Sequence, residues 1–315
     1  MRAAIRVLKP GLLTTVQDRG RWGCQAQGVP VAGPMDPRAH RAANALAGNA
    51  PEAATLEVTL IGPEIVFEDE RTVAVAGAEF EIDLDGRRLL DRRFVAPAGS
   101  CLRFGARIAG ARAYVAIEGG IDVAPIFGSR ATHVISAMGG MDGRPLRAGD
   151  RLPLGAHRST RSPVRVAPKA PLRFVPDSPA MLRVLPGPQD DYFEGAALDD
   201  LQSRPYTIGS SSDRMGFRLE GPRLRHARGA DIISDAAPLG SLQVPASGQP
   251  ILLMADRQTT GGYPKIATVI SADIGVAGQL GPGDACRFVV CSRRDAMAAL
   301  IAQEQMLMTL EGQAR

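Results

Sequence analysis

The sequence predicts a mostly β protein made of two related domains, with a few short helices. Two observations support this fold class. First, short runs rich in β-branched and aromatic residues recur along the chain, each bounded by Gly or Pro, and 35 Gly and 24 Pro supply the turns between them. Second, three segments of the first half recur in the same order in the second half. Together they favour antiparallel β domains in tandem.

The predicted strands come from runs whose apolar content and flanking turn residues are typical of half-buried or fully buried strands. In chain order they are "RTVAVAGAEFEIDLDG", "SCLRF", "RAYVAIEGG", "MLRVLPG", "PILLMAD", "IATVISAD" and "CRFVVC".

Two helices interrupt this pattern. The first begins at Asp36-Pro37, because Asp is a strong N-cap and Pro suits the first helical position, and it ends at Gly48-Asn49. The second begins near Asp295 and runs towards the C-terminus. Its apolar stripe is predicted to comprise Met297, Leu300, Ile301, Gln305 and Met308, a surface for packing or for a partner.

The internal repeat divides the chain. "IRVLKPG" from Ile5 resembles "LRVLPGP" from Leu182, "TLIGPEI" resembles "RLEGPRL", and "AGSCLRF" resembles "PGDACRF". We predict a first β domain with helical decoration over residues 1–165 and a second β domain with the C-terminal helix over residues 166–315. The Pro-rich stretch 162–179 is the expected linker.

Composition excludes several classes of protein. The chain of 315 residues has a net charge of +4 but only 4% aromatic residues, which argues against nucleic-acid binding, even around the basic segment 157–173. No apolar run is long enough for a membrane span, and the N-terminus lacks a signal-peptide pattern, so the expected location is the cytoplasm. Four Cys and four His show no metal-ligand spacing, so we expect no metal site and no disulfide framework.

The segment "ADRQTTGGYPK", residues 255–265, is the strongest candidate site. In the repeat it replaces a plain connection after a strand of the first half. Arg257 and Lys265 are candidate catalytic cations, because a guanidinium fork and an ammonium both bind carboxylate or phosphate. The neighbouring hydroxyls, amide and glycines are candidate anion-binding groups, the glycines by allowing positive φ or close backbone approach: Gln258, Thr259, Thr260, Gly261 and Gly262. The alternative is an ornate turn in which Asp256 pairs with Arg257.

Two other segments repeat this chemistry. "TTVQDRGRWG" contains Asp18, a candidate general base or ligand of an amide nitrogen, between the candidate binding residues Gln17 and Arg19. "SSDRMGF" contains Arg214, a further candidate anion-binding residue, beside Asp213. A cleft lined by these groups would suit a small polar or anionic substrate, whereas the alternative for each is a solvated Asp-Arg pair.

Nearly the whole chain resembles a known family in the right order. The matching segments are "GLLTTVQDRGRWG", "GVPVAGPMDPRAHRAANALAGN", "TLEVTLIGPEIVFE", "GGIDVAPIFGSRAT", "RMGFRLEGP" and "QVPASGQPILLMADRQTTGGYPKIATVISAD". They identify the chain as a member of the allophanate hydrolase subunit 2 family. That family includes the C subunit of ATP-dependent 5-oxoprolinase, the KipI antagonist, and part of the carboxyltransferase region of urea carboxylase.

The resemblance implies two cyclophilin-like β-barrel domains and a companion of the subunit 1 type, similar to the B subunit of 5-oxoprolinase. In the oxoprolinase hypothesis, a lactam-utilisation-type A subunit is also needed, and ATP with Mg, supplied at the level of the complex, activates the lactam of 5-oxoproline for hydrolysis to glutamate. In the carboxyltransferase alternative, carboxybiotin from another protein donates to urea or another amide. A third alternative is a regulatory antagonist that binds its companion. Family members often carry Asn where Asp213 stands, which weakens a catalytic role for that carboxylate.

Overall fold

A computed structural model describes residues 3–156 and 174–313. These separate into two compact units. Unit 1 comprises the described residues within Met1–Arg21, Ala32–Val175 and Gln305–Arg315, and unit 2 those within Trp22–Val31 and Pro176–Glu304. The predicted boundary at 165/166, the basic segment 157–173 and most of the predicted linker lie outside the described residues, so these remain predictions.

Unit 1 is built on one nine-stranded antiparallel sheet, in which the order β2-β3-β8-β4-β1-β9 forms the main path and β5 pairs with β6, β7 and β8. Its apolar core is formed mainly by Val, Ile, Leu and Phe side chains of these strands. The strands are β1 Ala4–Lys9, β2 Leu13–Gln17, β3 Thr55–Thr59, β4 Glu64–Phe67, β5 Arg71–Leu84, β6 Arg87–Leu89, β7 Arg93–Ala96, β8 Cys101–Ile117 and β9 Arg151–Pro153.

Two strands predicted separately, "SCLRF" and "RAYVAIEGG", are one continuous strand, β8. The glycines between them do not end the strand, because β8 stays paired with β5 through three register shifts between Gly77 and Ile82. Such bulges let a long antiparallel pair bend without breaking the ladder.

The predicted first helix is confirmed as α1, Pro37–Ala47. The Asp36 carboxylate accepts hydrogen bonds from the backbone N–H groups of Arg38 and Ala39, and Gly48 ends the helix with a φ of 77°. Its small buried side chains, such as Ala39, Ala42 and Ala43, pack against β5 and β8. Alanines here allow the helix to approach the sheet closely.

Unit 2 is a closed barrel of order β10-β17-β14-β15-β12-β11-β18, with a separate two-stranded sheet β13-β16. Only β10 and β18 pair in parallel within it. The strands are β10 Ala180–Pro186, β11 Tyr206–Ile208, β12 Gly216–Glu220, β13 Asp235–Ala236, β14 Ser241–Gln243, β15 Ile251–Leu253, β16 Thr260–Gly261, β17 Lys265–Val269 and β18 Ala285–Val290; the short helices are α2 Ala197–Ser203 and α3 Ile274–Gly278. The predicted mostly β fold with a few short helices is confirmed.

The C-terminal helix is α4, Arg293–Gln313. The predicted stripe does not pack against the core: Met297, Ile301 and Met308 are exposed, and the buried apolar residues of the last turns are Leu307 and Leu310. Its role as a partner surface stays a prediction. Helical spacing alone does not show which of two apolar stripes meets a core. Among the described residues, no helix has the length and apolar character of a membrane span.

Candidate functional site

The polar loop of unit 2 joins the end of β15 to the start of β17 and contains β16. Strand β16 pairs with β13, so that Asp235 lies opposite Gly261 and Ala236 opposite Thr260. Two further backbone hydrogen bonds extend this ladder, from Ile232 N to Gly262 O at 2.9 Å and from Ala237 N to Thr259 O at 3.0 Å. Residues 231–237, here called the covering segment, therefore lie along the loop.

Arg214 and Asp256 form a buried ion pair at the start of the loop. The guanidinium donates from Nε and Nη2 to the two carboxylate oxygens, each at 2.9 Å. The expectation that Asp256 could pair with Arg257 is thus wrong, because Asp256 engages Arg214 instead. Arg214, predicted to bind an anionic ligand, has its fork directed at its own chain.

Arg257 is buried without a carboxylate salt bridge among the described residues. Its Nε donates to the carbonyl of Ala237 at 2.9 Å, and Nη1 to that of Met254 at 3.4 Å. Burial lowers its pKa to about 10, and the nearby Asp256 carboxylate acts in the opposite direction. A cation held by neutral carbonyls is an unbalanced charge, which an anionic ligand would stabilise.

Lys265 is also buried, with 1% of its side chain exposed, and its Nζ contacts Asp235 Oδ2 of the covering segment at 2.9 Å. Gln189 joins both residues: its Oε1 accepts from Lys265 N at 3.2 Å, and its Nε2 donates to Asp235 Oδ2 at 3.2 Å. The hydrogen bond from Lys265 is the largest cause that lowers the pKa of Asp235. Arg257 and Lys265 thus both hold the covering segment.

Gln243 is a residue of this site that the sequence did not reveal. Its Oε1 accepts from Gln258 Nε2 at 3.2 Å, whereas its own Nε2 is buried and has no hydrogen-bond partner among the described residues. Ser241, two positions earlier on β14 and so on the same face, also has a buried hydroxyl without a hydrogen-bond partner in the part of the chain that the structure describes. An unsatisfied buried donor costs about 1–3 kcal/mol, so the position needs an explanation.

Gly261 permits this packing. A Cβ at Gly261 would lie 2.4 Å from Gln243 Nε2 and 3.2 Å from Gln258 Nε2. Neither Gly261 nor Gly262 has a positive φ. Of the two reasons predicted for these glycines, positive φ and close approach, only close approach applies, and at Gly261 the approaching group is an amide side chain. Thr259 is half-buried and Thr260 is exposed.

The residues predicted from "TTVQDRGRWG" belong to unit 1. The Asp18 carboxylate accepts from Ser129 Oγ at 2.5 Å, Arg130 N at 2.5 Å and Gly20 N at 2.9 Å. Gln17 is buried and donates to Thr15 Oγ1 and Thr132 O, both at 3.0 Å.

Arg19 is exposed and lies 3.3 Å from Glu52. The hydrogen bonds from Ser129, Arg130 and Gly20 show that the carboxylate of Asp18 is directed at donors of its own unit, a pattern typical of a structural clamp.

A buried polar cluster, which the sequence did not reveal, lies beside this motif. Tyr114 Oη donates to Glu57 Oε2 at 2.7 Å, and the same oxygen accepts from Met35 N at 2.9 Å. His40 of α1 is fully buried, and burial lowers its pKa to about 4, although Asp18 and Glu57 act to raise it. Its Nδ1 has no hydrogen-bond partner among the described residues.

The described residues contain no group of three or more His, Cys, Asp or Glu side chains placed to hold a metal ion. What the arrangement in unit 2 offers is a set of buried donors: a guanidinium, an ammonium and an amide. Such a set suits a ligand rich in acceptor oxygens, such as a carboxylate or a phosphate.

Comparison with known proteins shows the family of the chain. Residues 27–290 match the family model "Carboxyltransferase domain, subdomain A and B". The chain is 38% identical over 302 residues to the C subunit of 5-oxoprolinase from Escherichia coli, covering 96% of each. It is 32% identical over 326 residues to urea amidolyase of Saccharomyces cerevisiae, covering 98% of this chain but 18% of that protein.

The solved structure of Kluyveromyces lactis urea carboxylase superposes with a TM-score of 0.92 at 31% identity, covering 99% of this chain and 30% of that one. The family resemblance expected from the sequence motifs is confirmed. The chain belongs to the carboxyltransferase domain, subdomain A and B, family.

Proposed function

We propose that this chain is the C subunit of an ATP-dependent 5-oxoprolinase, which hydrolyses the lactam of 5-oxoproline to give glutamate. The observation that carries this proposal is the 38% identity to the E. coli protein over 96% of both chains. Because that relative is one part of a larger enzyme, we propose that activity requires a complex with a subunit 1-type companion and a lactam-utilisation-type A subunit, in the cytoplasm.

The site of unit 2 fits an anionic, amide-bearing substrate. Arg257 and Lys265 place two cations beside the amide donors of Gln243 and Gln258. Preorganised donors of this kind stabilise charge that develops on a carbonyl or phosphoryl oxygen, and in a site that excludes water each is worth several kcal/mol.

ATP with Mg, bound at the level of the complex, would supply the phosphoryl group that activates the lactam. Within this chain Arg257 and Lys265 fit a phosphate or carboxylate oxygen.

We assign Asp18 a positioning role and not that of a general base. Its two oxygens accept three hydrogen bonds, from Gly20, Ser129 and Arg130, so they are occupied by donors of the same unit. The carboxylate holds the turn at 129–130 against the end of β2.

Carboxyl transfer is the second candidate function. The matching family model carries that name, and urea amidolyase is similar over 98% of the chain. Here the same cations would hold the carboxylate of carboxybiotin delivered by another protein, and a small amide would accept it. The regulatory alternative, binding of a companion without turnover, stays a prediction that no specific contact favours.

The decisive experiment measures glutamate formation from 5-oxoproline and ATP by the chain co-purified with its companions, with each protein omitted in turn. Glutamate that requires this chain supports the oxoprolinase. If no glutamate forms and an amide is carboxylated in a reaction that requires a biotinylated protein, the carboxyltransferase function is supported instead.

The site is tested with Arg257→Ala and Lys265→Ala in the same complex. Each is expected to lower kcat/KM by about 100-fold or more, because a charged donor is lost from the site, with little change in fold. Arg228→Ala is the matched control, since Arg228 of the same unit pairs with Asp191 on the surface. Full activity in both site variants would contradict the assignment.

A further inference from the structure

Asp235 is bound to a buried cation although it is itself half in solvent. The side chain of Lys265 is 1% exposed and that of Asp235 is 48% exposed, with Nζ and Oδ2 2.9 Å apart. The same Oδ2 accepts from Gln189 Nε2 at 3.2 Å. Asp235 Oδ2 is therefore held between two donors, Lys265 Nζ and Gln189 Nε2.

A third donor beside this position is not used. The Nε2 of Gln243 is buried and has no hydrogen-bond partner among the described residues, and its neighbour is Gly261, the register partner of Asp235. Gln243 is in turn the register partner of Lys265. Asp235 leaves this third donor unused, because its other oxygen, Oδ1, accepts from Ala236 N at 2.7 Å. A ligand that engaged all three donors would carry a carboxylate and a further oxygen.

The backbone ladder of the covering segment is short. Strands β13 and β16 have two residues each, and the ladder is extended by single backbone hydrogen bonds at Ile232 and Ala237. Ile233, at its tip, is 95% exposed and so contributes no apolar anchor. Segments with few buried apolar contacts and short ladders open at low free energy.

We propose that Asp235 is an internal stand-in for the carboxylate of a small acidic amide, and that residues 231–237 form a lid which this ligand displaces. The ligand carboxylate would bind Lys265 Nζ and Gln189 Nε2 in place of Asp235. Its amide carbonyl would accept from Gln243 Nε2, which explains the unused donor. The ligand class, exemplified by 5-oxoproline, rests on the proposed function.

The test is calorimetric titration of the complex in the absence of ATP, with three probes. 5-Oxoproline carries both groups, cyclopentanecarboxylate carries only the carboxylate, and 2-pyrrolidone carries only the lactam carbonyl. Asp235→Asn removes the anion that competes for Lys265 Nζ, so 5-oxoproline and cyclopentanecarboxylate should bind about fivefold more tightly, whereas a ligand that does not contact Lys265 gains little. Binding of 2-pyrrolidone should respond much less.

Gln243→Met keeps the size of the side chain and removes its donor. It should weaken 5-oxoproline and 2-pyrrolidone binding by about tenfold, the usual effect of losing one buried hydrogen bond, and leave cyclopentanecarboxylate unchanged. The matched controls are Asp191→Asn, at a surface ion pair of the same unit, and Gln249→Met, at a surface amide bound to Gly221. Thermal unfolding of each variant checks the fold, and Gln243→Leu, which also removes the donor without adding charge, serves as second variant should Gln243→Met unfold.

Unchanged or weaker carboxylate binding by Asp235→Asn overturns the proposal, as does an absence of binding by all variants. Turnover of 5-oxoproline separates this outcome from the proposed function. If the complex forms glutamate while Asp235→Asn and Gln243→Met leave the KM unchanged, the lid proposal is wrong and the proposed oxoprolinase function is supported. If the expected affinity changes for the three probes appear without glutamate formation, the ligand site is supported and the oxoprolinase function is contradicted.

Discussion

Arg214 and Asp256 face each other in unit 2 as a two-point ion pair, with Nε and Nη2 each 2.9 Å from a different carboxylate oxygen and the side chains 5% and 4% exposed. The backbone repeats this connection, because Asp256 N donates to Arg214 O at 2.8 Å. The pair therefore ties the start of the polar loop to the residues that precede β12. Because Asp256 is engaged by Arg214, the neighbouring Arg257 donates instead to the carbonyls of Ala237 and Met254.

Asp256→Asn should destabilise the fold strongly. Removing one charge leaves the guanidinium of Arg214 buried and uncompensated, for which we expect a loss of about 3 kcal/mol in the free energy of unfolding. Urea unfolding measures it. Asp191→Asn, at the exposed pair with Arg228, should change stability by less than about 0.5 kcal/mol. Equal losses in the free energy of unfolding for the two variants would show that burial does not increase the contribution of the Arg214–Asp256 pair to stability.

Asp18→Asn separates a clamp from a catalytic base. The amide would direct N–H towards at least one of the donors Ser129, Arg130 and Gly20, so we expect a loss of about 2 kcal/mol in unfolding free energy and faster hydrogen exchange at the Arg130 amide. Asp213→Asn is the control, because its Oδ1 caps a turn by accepting from Met215 N and an amide oxygen can do the same. A fall in kcat with unchanged stability and exchange would instead assign Asp18 to the chemistry.

His40 should make the stability of the protein depend on acid. Its pKa is lowered to about 4 by burial, whereas the unfolded chain takes up this proton near pH 6.5. As pH falls from 6.5 towards 4, the unfolded state binds one more proton than the native state, so stability is lost across that window and retained above it.

The measurement is urea unfolding at pH 7.5 and pH 5.0 for the wild-type chain and for His40→Leu. Between these values His40 should account for a loss of about 2 kcal/mol in the wild type. His40→Leu should lack that part of the loss, because no imidazole remains to be protonated in the unfolded state. The same pH dependence in both proteins would contradict the burial of a neutral imidazole.

The parts of the fold that followed from the sequence are those set by local signals. Helix α1 was predicted with its ends because Asp36, Pro37 and Gly48 are cap residues, and their effect depends only on neighbours in sequence. The main apolar strands were found for a similar reason. Strands β13 and β16, of two residues each, carry no such signal, since their pairing is decided by contacts between residues far apart in sequence.

The candidate site shows the same division. The cations Arg257 and Lys265 were selected for their chemistry, but "SLQVP" is an ordinary strand in sequence, and Gln243 becomes a candidate only through its register with Lys265 and its contact with Gly261. By residue type alone, Arg214 is as suitable for anion binding as Arg257, and Asp18 is a suitable general base. Only their partners, Asp256 and the donors around 129–130, show that they hold the chain together.

Gly261→Ala tests whether the contact with Gln243 matters for function. The added Cβ would lie 2.4 Å from Gln243 Nε2, so the amide must move out of its place between Gln258 and Gly261. Because overpacking at a close contact costs about 1–3 kcal/mol, we expect a moderate loss of stability, and a fall in kcat/KM of about tenfold or more as the donor is displaced.

Gly262→Ala is the matched control from the same loop. Its Cβ would meet only the Ile232 carbonyl oxygen, at 3.6 Å, an ordinary contact, and neither glycine has a positive φ. This variant should therefore keep kcat/KM within about twofold of the wild type, because no donor of the site is moved. Steady-state kinetics of the complex and urea unfolding distinguish the two variants. Similar losses in both would mean that the loop tolerates no side chain at all, and the role of Gln243 as a positioned donor would lose its support.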